Sequence, residues 1–154
     1  MDLDLKNKEW KEFIFEEFFE INSTSSSIDG NKLITNVGEI PYITRSEKNN
    51  GYESFVGKQS EKYCLDTSNV ITIGLDTQSV FYQPKEFYTG QNIQVLKNKY
   101  LNKAVAQFLI PLIVRQMDKF NWGGNGATLT RLRRCKILLP VNSKGDPDYE
   151  FMEE

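Results

Sequence analysis

Ile93-Gln94-Val95-Leu96-Lys97-Asn98, followed by Leu101-Asn102-Lys103-Ala104-Val105-Ala106-Gln107-Phe108-Leu109-Ile110-Pro111-Leu112-Ile113, is the stretch where the periodicity of this chain changes. Ile93, Val95 and Leu96 read as a strand. Leu101, Ala104, Val105, Phe108, Leu109, Leu112 and Ile113 recur at helical spacing, which predicts a helix over about 102–117 with that face on the core. Pro111 falls inside it. An interior proline removes one hydrogen bond and crowds the preceding turn, so a bend between Gln107 and Pro111, or two shorter helices, is expected.

Upstream, from 33 to 94, short segments rich in Val, Ile, Tyr, Phe and Thr are separated by turn signals at Gly38, Asn49-Asn50-Gly51, Asp66-Thr67-Ser68-Asn69 and Pro84. Residues 70–75 and 80–83 read as successive strands around the hairpin loop Asp76-Thr77-Gln78-Ser79. Pro41 fixes its own φ and pushes Ile40 toward an extended backbone, so 41–44 is a short strand leaving a bend, and Asn50-Gly51 makes the next turn. Gly90 permits a bend or a close backbone approach. Lys136-Ile137-Leu138-Leu139 is the last strand, stopped by Pro140. These elements predict an α/β (α+β) fold, a single domain over 1–154, with a curved, mostly antiparallel sheet from about 33 to 96 plus 136–139, backed by the amphipathic helix. Two segments give no clear period. Apolar residues at 10, 13, 14, 15, 18, 19 and 21 fit neither a strand nor a helix, although they are dense enough for core. Ser23-Thr24-Ser25-Ser26-Ser27 before Asp29-Gly30 reads as a mobile polar connector, with phosphate donation by its hydroxyls beside DNA as the alternative.

A chain of 154 residues can bury one sizeable core, and 39% hydrophobic with 26% charged residues is the composition of a globular protein. No apolar run approaches the roughly 20 residues of a membrane span, and Met1-Asp2-Leu3-Asp4-Leu5 lacks the layout of a signal peptide, so a cytoplasmic location without a membrane partner is expected. Cys64 and Cys135 are far apart and the chain has no histidine, which predicts reduced thiols, one or both buried, and no zinc site. The net charge of −2 opposes a nucleic-acid surface, but its distribution is uneven. Residues 1–30 hold eight acids against three lysines, a balance of −5, while 85–136 hold ten basic residues against two acids, a balance of +8. One DNA-facing side would produce that asymmetry; so would mutual neutralisation across a folded surface.

Three segments carry side chains suited to nucleic acid. Arg45 and Asn49 are types that hydrogen-bond bidentately to guanine and adenine edges, with Ser46 and Asn50 beside them. Tyr88, Thr89, Gln91 and Asn92 flank Gly90. Lys119, Asn121 and Trp122 precede a glycine-rich loop that lacks the Lys-Ser/Thr ending of a P-loop, and Arg131 and Arg133 follow. Catalytic chemistry is harder to assemble. Without histidine there is no conventional Ser-His or Cys-His pair, and no nuclease-like acidic run or glycine-rich cofactor fingerprint is present, so no enzyme activity, cofactor or metal is expected.

The order of short blocks resembles the target-recognition domains of DNA specificity (S) subunits of type I restriction-modification systems, and the related type IIB/IIG specificity domains. The blocks are Trp10 with Phe13, Phe18, Phe19 and Ile21; 40–45 with Asn49-Asn50-Gly51; 71–74; 81–83; 87–93; 119–123; 136–140; and Gly145-Asp146-Pro147-Asp148 leading to Phe151-Met152. The resemblance implies a non-catalytic module that reads double-stranded DNA and directs a methyltransferase (modification) subunit to a half-site, with a restriction subunit as a further candidate partner. It also implies a spacer helix, whose first turn is expected at 149–154. The acidic balance favours an alternative, a protein-interaction or regulatory module that keeps the fold without reading DNA.

Overall fold

Alternating and continuous apolar runs both become strands in the computed structural model, which describes residues 8–35, 37–44, 49–74, 79–118 and 129–154. In chain order the strands are β1 (Trp10–Ile14), β2 (Glu20–Ser23), β3 (Ile40–Ile43), β4 (Tyr52–Val56), β5 (Val70–Gly74), β6 (Ser79–Gln83), β7 (Tyr88–Thr89), β8 (Ile93–Lys97) and β9 (Lys136–Pro140). The α-helices are α1 (Phe15–Phe18), α2 (Lys103–Met117), α3 (Leu129–Arg134) and α4 (Tyr149–Glu153). The fold is mixed α/β, as the periodicities predict, but the single curved sheet is divided into three. One has the order β2-β8-β5-β6, the second β4-β3-β7, and β1 pairs with β9 alone. Local patterns identify strands; they do not say which strands pair. Here β3 takes a parallel partner in β7, forty-odd residues away, which no local hairpin could announce.

The β5–β6 hairpin forms as expected, with Val70 opposite Gln83 and Gly74 opposite Ser79, so that Ser79 belongs to the strand and not to the hairpin loop. Every residue of β5 is buried, because β8 and β6 pair with its two edges and α2 lies on the sheet. Trp10 to Ser23 defeats a periodicity search for a simple reason. It is a strand, a single helical turn and a second strand in succession, each too short to establish a repeat.

The N-terminus of α2 is set by Asn102, whose side chain accepts from Val105 N at 2.9 Å. Val105, Ala106, Leu109, Ile113 and Met117 are fully buried against Phe15, Phe18, Phe19, Ile71, Ile73 and Leu96. Phe108 and Leu112, expected on this core-facing stripe, are only partly buried. Each fully buried large side chain contributes roughly 1.5–3 kcal/mol before entropy is subtracted. Pro111 does not split α2 into two helices. Both Pro111 and Gln107, whose carbonyl loses its intrahelical donor, are exposed, so water can satisfy that oxygen.

The serine run is not a free connector. Thr24 and Ser26 are buried, and the Asp66 carboxylate accepts from Ser25 N at 2.6 Å and from Ser26 Oγ at 2.9 Å. Neither cysteine forms a disulfide; Cys135 is buried and Cys64 exposed. Among the described residues no helix is long and apolar enough to cross a membrane. At the C-terminal end, Asp148 caps α4 by accepting from Phe151 N at 3.1 Å, and Tyr149 lies between Phe18 and Tyr100, with ring centroids 5.9 Å and 4.7 Å away. Burial pushes the Tyr149 hydroxyl above its ordinary pKa, and the Asn98 amide hydrogen-bonded to it opposes the shift.

Candidate nucleic-acid interface

Parallel pairing of β3 with β7 sets Tyr42 opposite Tyr88 and Ile43 opposite Thr89, so the two chains leave the sheet at the same end. Gly90 N then donates to Ile43 O at 2.8 Å. On the β3 side, Thr44 N donates to Gly51 O at 3.0 Å, closing the loop that carries Arg45, Ser46 and Asn49 in sequence. Asn50 and Gly51 turn this loop back with φ of 60° and 81°, left-handed values that asparagine tolerates and glycine accepts without strain. Gly90 is needed for closeness rather than for its φ. A Cβ on it would stand 3.2 Å from Tyr42 Oη and 3.8 Å from Thr44 Cγ2.

Beyond Gly90 the chain passes from one sheet to another. Gln91 and Asn92 form the corner, both exposed, before Ile93 enters β8. Asn92 has φ 63°, the left-handed conformation that turns a short polar side chain outward at low cost. A small recess of about 280 Å³ opens beside this corner, lined among others by Asp29, Tyr42, Thr44, Glu53 and Gln91. Burial, reinforced by Glu53 and Asp29, pushes the Tyr42 hydroxyl above its ordinary pKa. Such carboxylates repel phosphates but accept from the amino groups of cytosine or adenine.

The expected contact residues fall into three groups. Gln91, Asn92 and Arg131 are exposed. Arg45, Ser46, Lys119, Asn121 and Trp122 lie outside the described residues, as does the side chain of Asn49. The remaining four are turned inward. Tyr88 and Thr89, at 1% and 0% exposure, cannot present their side chains to a duplex: Tyr88 Oη accepts from Gln59 N at 3.0 Å, and Thr89 Oγ1 donates to Thr24 Oγ1 at 2.7 Å. Asn50 Nδ2 donates to Tyr82 O at 3.0 Å, and its own carbonyl accepts from Gln83 Nε2. The half-buried Arg133 donates to Ile21 O at 2.9 Å. These side chains hold backbone that the exposed ones stand on. Arg133 also ties α3 to the first sheet. Ile21 faces Leu96, which is about 10 Å along β8 from Ile93 at the usual strand rise.

Sequence reasoning gave no buried, supporting role to Thr24, Ser26 and Asp66; Thr24 and Ser26 are hydrogen-bonded to the strands that flank the corner, and Asp66 to Ser26. Their types gave no hint, because serine and threonine runs are exposed far more often than buried. The basic segment is also spread more widely than one face. Arg115, Arg134 and Lys136 line a cleft with Trp10 and Leu138, whereas Lys97 and Lys99 line another beside Phe18 and Tyr149.

Residues 7–154 match the family model described as type I restriction modification DNA specificity domain. A specificity subunit of a type II restriction enzyme, S.BcgI from Heyndrickxia coagulans, is 32% identical over 141 residues, spanning 91% of this chain and 40% of that protein. The fold is similar to the S subunit of a type I restriction-modification system from M. genitalium, with a TM-score of 0.66 at 17% identity over 94% of this chain and 37% of that one. It is similar too to the HsdS subunit from Thermoanaerobacter tengcongensis, with a TM-score of 0.65 at 12% identity over 97% of this chain and 36% of that one. The chain thus spans about two fifths of the length of these proteins.

Proposed function

The chain belongs to the type I restriction modification DNA specificity domain family, and from that premise we propose that it is the sequence-reading module of a restriction-modification complex, acting on double-stranded DNA in the cytoplasm. The observation that carries this reading is the parallel β3–β7 pairing, which brings Thr44, from which the segment carrying Arg45 departs, beside the Gly90–Gln91–Asn92 corner. Gln91 and Asn92 supply amides of the kind that read adenine, and Arg45 a guanidinium of the kind that reads guanine. Asn49, Asn121 and Trp122 are further candidates for base contact by residue type. Ser46, Lys119 and Arg131 hold phosphates, which fix register without carrying sequence information.

The module has no chemistry of its own; methyl transfer and cleavage belong to methyltransferase and restriction subunits that it directs to a half-site. The helix beginning at Tyr149 is the first turn of the spacer that joins it to the rest of such a subunit. With a net charge of −2 the electrostatic term is small, so the chain alone binds duplex at about micromolar or weaker. Its methyltransferase partner adds phosphate contacts on the same duplex and raises affinity by linked binding.

The test is a titration of labelled duplex with the chain, the methyltransferase subunit and both together. Affinity for one sequence should rise by orders of magnitude only in the mixture. An unchanged affinity would favour the interaction-module alternative, and methyl transfer by the chain alone would refute the assignment.

A further inference from the structure

Asp66 is 5% exposed and its side chain has no part in the reading proposed above. Its carboxylate nevertheless stands at the head of a continuous hydrogen-bonded relay. Oδ2 accepts from Ser26 Oγ at 2.9 Å, and Ser26 Oγ in turn accepts from the backbone N–H of Thr89 at 2.8 Å. Ile28 N donates to Thr89 O at 2.7 Å, and Thr89 Oγ1 donates to Thr24 Oγ1 at 2.7 Å. Thr24 N donates to Ile93 O at 3.2 Å, on the far side of Gln91 and Asn92. The main chain of Asp66 completes the frame by exchanging two hydrogen bonds with Phe87, at 2.9 Å and 3.2 Å.

The segment from Thr24 to Ile28 therefore grips the exposed corner on both sides, at Thr89 and at Ile93, and Asp66 grips that segment. Apolar packing would give comparable stability here, since a buried polar network replaced by well-packed hydrophobic residues is often neutral. Hydrogen bonds add direction, which packing lacks. Base reading needs side chains held to about 0.5 Å. We infer that Asp66, Ser26 and Thr89 are positioning residues for DNA reading, setting the backbone from which Gln91 and Asn92 reach base edges. The inference rests on the proposed interface.

The experiment compares Asp66→Asn and Thr89→Val with Gln91→Ala, each assembled with the methyltransferase subunit. The wild-type target is first obtained by selection from a pool of randomised duplexes. Asp66→Asn keeps the shape and sets an amide N–H against donors; Thr89→Val keeps the shape and the β-branch and deletes the link to Thr24, and serves if Asp66→Asn does not fold. Each should lower the preference for target over random duplex about tenfold, the scale of one lost base contact, while leaving affinity for random duplex and its salt dependence unchanged. Loss of target and random binding in equal proportion, or an unchanged preference in folded variants when Gln91→Ala lowers it, would overturn the positioning role alone. A Gln91→Ala protein that reads its target as well as wild type would overturn the interface as well.

Discussion

Gly90 N donates to Ile43 O at 2.8 Å, fastening the first residue after β7 to the last residue of β3. A side chain on Gly90 would crowd this junction, since a Cβ would meet Tyr42 Oη at 3.2 Å. Tyr42 cannot retreat easily, being 2% exposed and donating to Ile28 O at 2.7 Å. Gly90→Val should therefore cost about 1–3 kcal/mol in chemical denaturation, the usual range for overpacking, with Gly90→Ala losing less. A valine protein as stable as wild type would show that β3 and β7 can separate freely, and the corner would lose its rigid origin.

Leu109 and Phe108 are neighbours on α2 with different environments. Leu109 has no exposed surface, whereas Phe108 packs at the margin against Trp10 and Phe151, at centroid distances of 6.2 Å and 6.3 Å. Leu109→Ala should cost about 2–5 kcal/mol through lost transfer energy and the cavity left behind. Phe108→Ala should cost less than the roughly 3–5 kcal/mol of a core phenylalanine, because water and side-chain adjustment can fill the gap. Denaturant midpoints at constant slope would rank the two, and a reversed order would mean that α2 is rotated about its axis.

The same pair shows what could be read in advance. Helical spacing located α2 to within a residue of its observed ends, and the runs at 70–75 and 80–83 located the hairpin strands to within a residue, because each element is long enough for its period to repeat. The rotation of α2 was less legible, since Phe108 and Leu112 share a stripe with Leu109 and Ile113 and only the packing decides which sinks deepest. In β7 a strand of two residues has no period, so Tyr88 and Thr89 looked like hydrogen-bonding side chains on a loop. Ser26 looked equally solvated, and its partner Asp66 lies 40 residues further along. Gln91 and Asn92 were legible as surface because asparagine and glutamine beside a glycine have few buried alternatives.

At the other end of the molecule, Lys8 pairs with Asp148, the residue that caps α4. The hydrogen bond from Lys8 holds the Asp148 carboxyl below its ordinary range, against the opposing effect of burial. A depressed folded-state pKa means stability that is fully present above the unfolded value of about 4 and is lost as pH falls through the folded value. Asp148→Asn keeps the cap, since asparagine serves there as well as aspartate, and removes the titration. The variant should be up to about 1 kcal/mol less stable at neutral pH and should converge with wild type as pH falls through the lowered folded-state value. A constant difference across that range would mean that the ion pair contributes nothing to folding.

Discrimination and adhesion should separate by residue at the proposed interface. Gln91 and Asn92 end in neutral amides, which gain little from a phosphate but match the paired donor and acceptor of an adenine edge. Replacing either by alanine should cost about 1–3 kcal/mol on the target sequence and nothing on random duplex. Arg131 ends in a cation, and a cation on a phosphate releases a counterion whatever the sequence. Arg131→Ala should weaken target and random duplex alike and reduce the salt slope by about one. The same division is expected of Arg45 and Asn49 on one side and Lys119 on the other. Titrations of target and random duplex at several salt concentrations, with the methyltransferase subunit present, measure both quantities at once. If Gln91→Ala lowered both affinities together with the salt slope, the corner would be touching backbone, and the bases would be read from the 44–51 loop or from residues beyond α2.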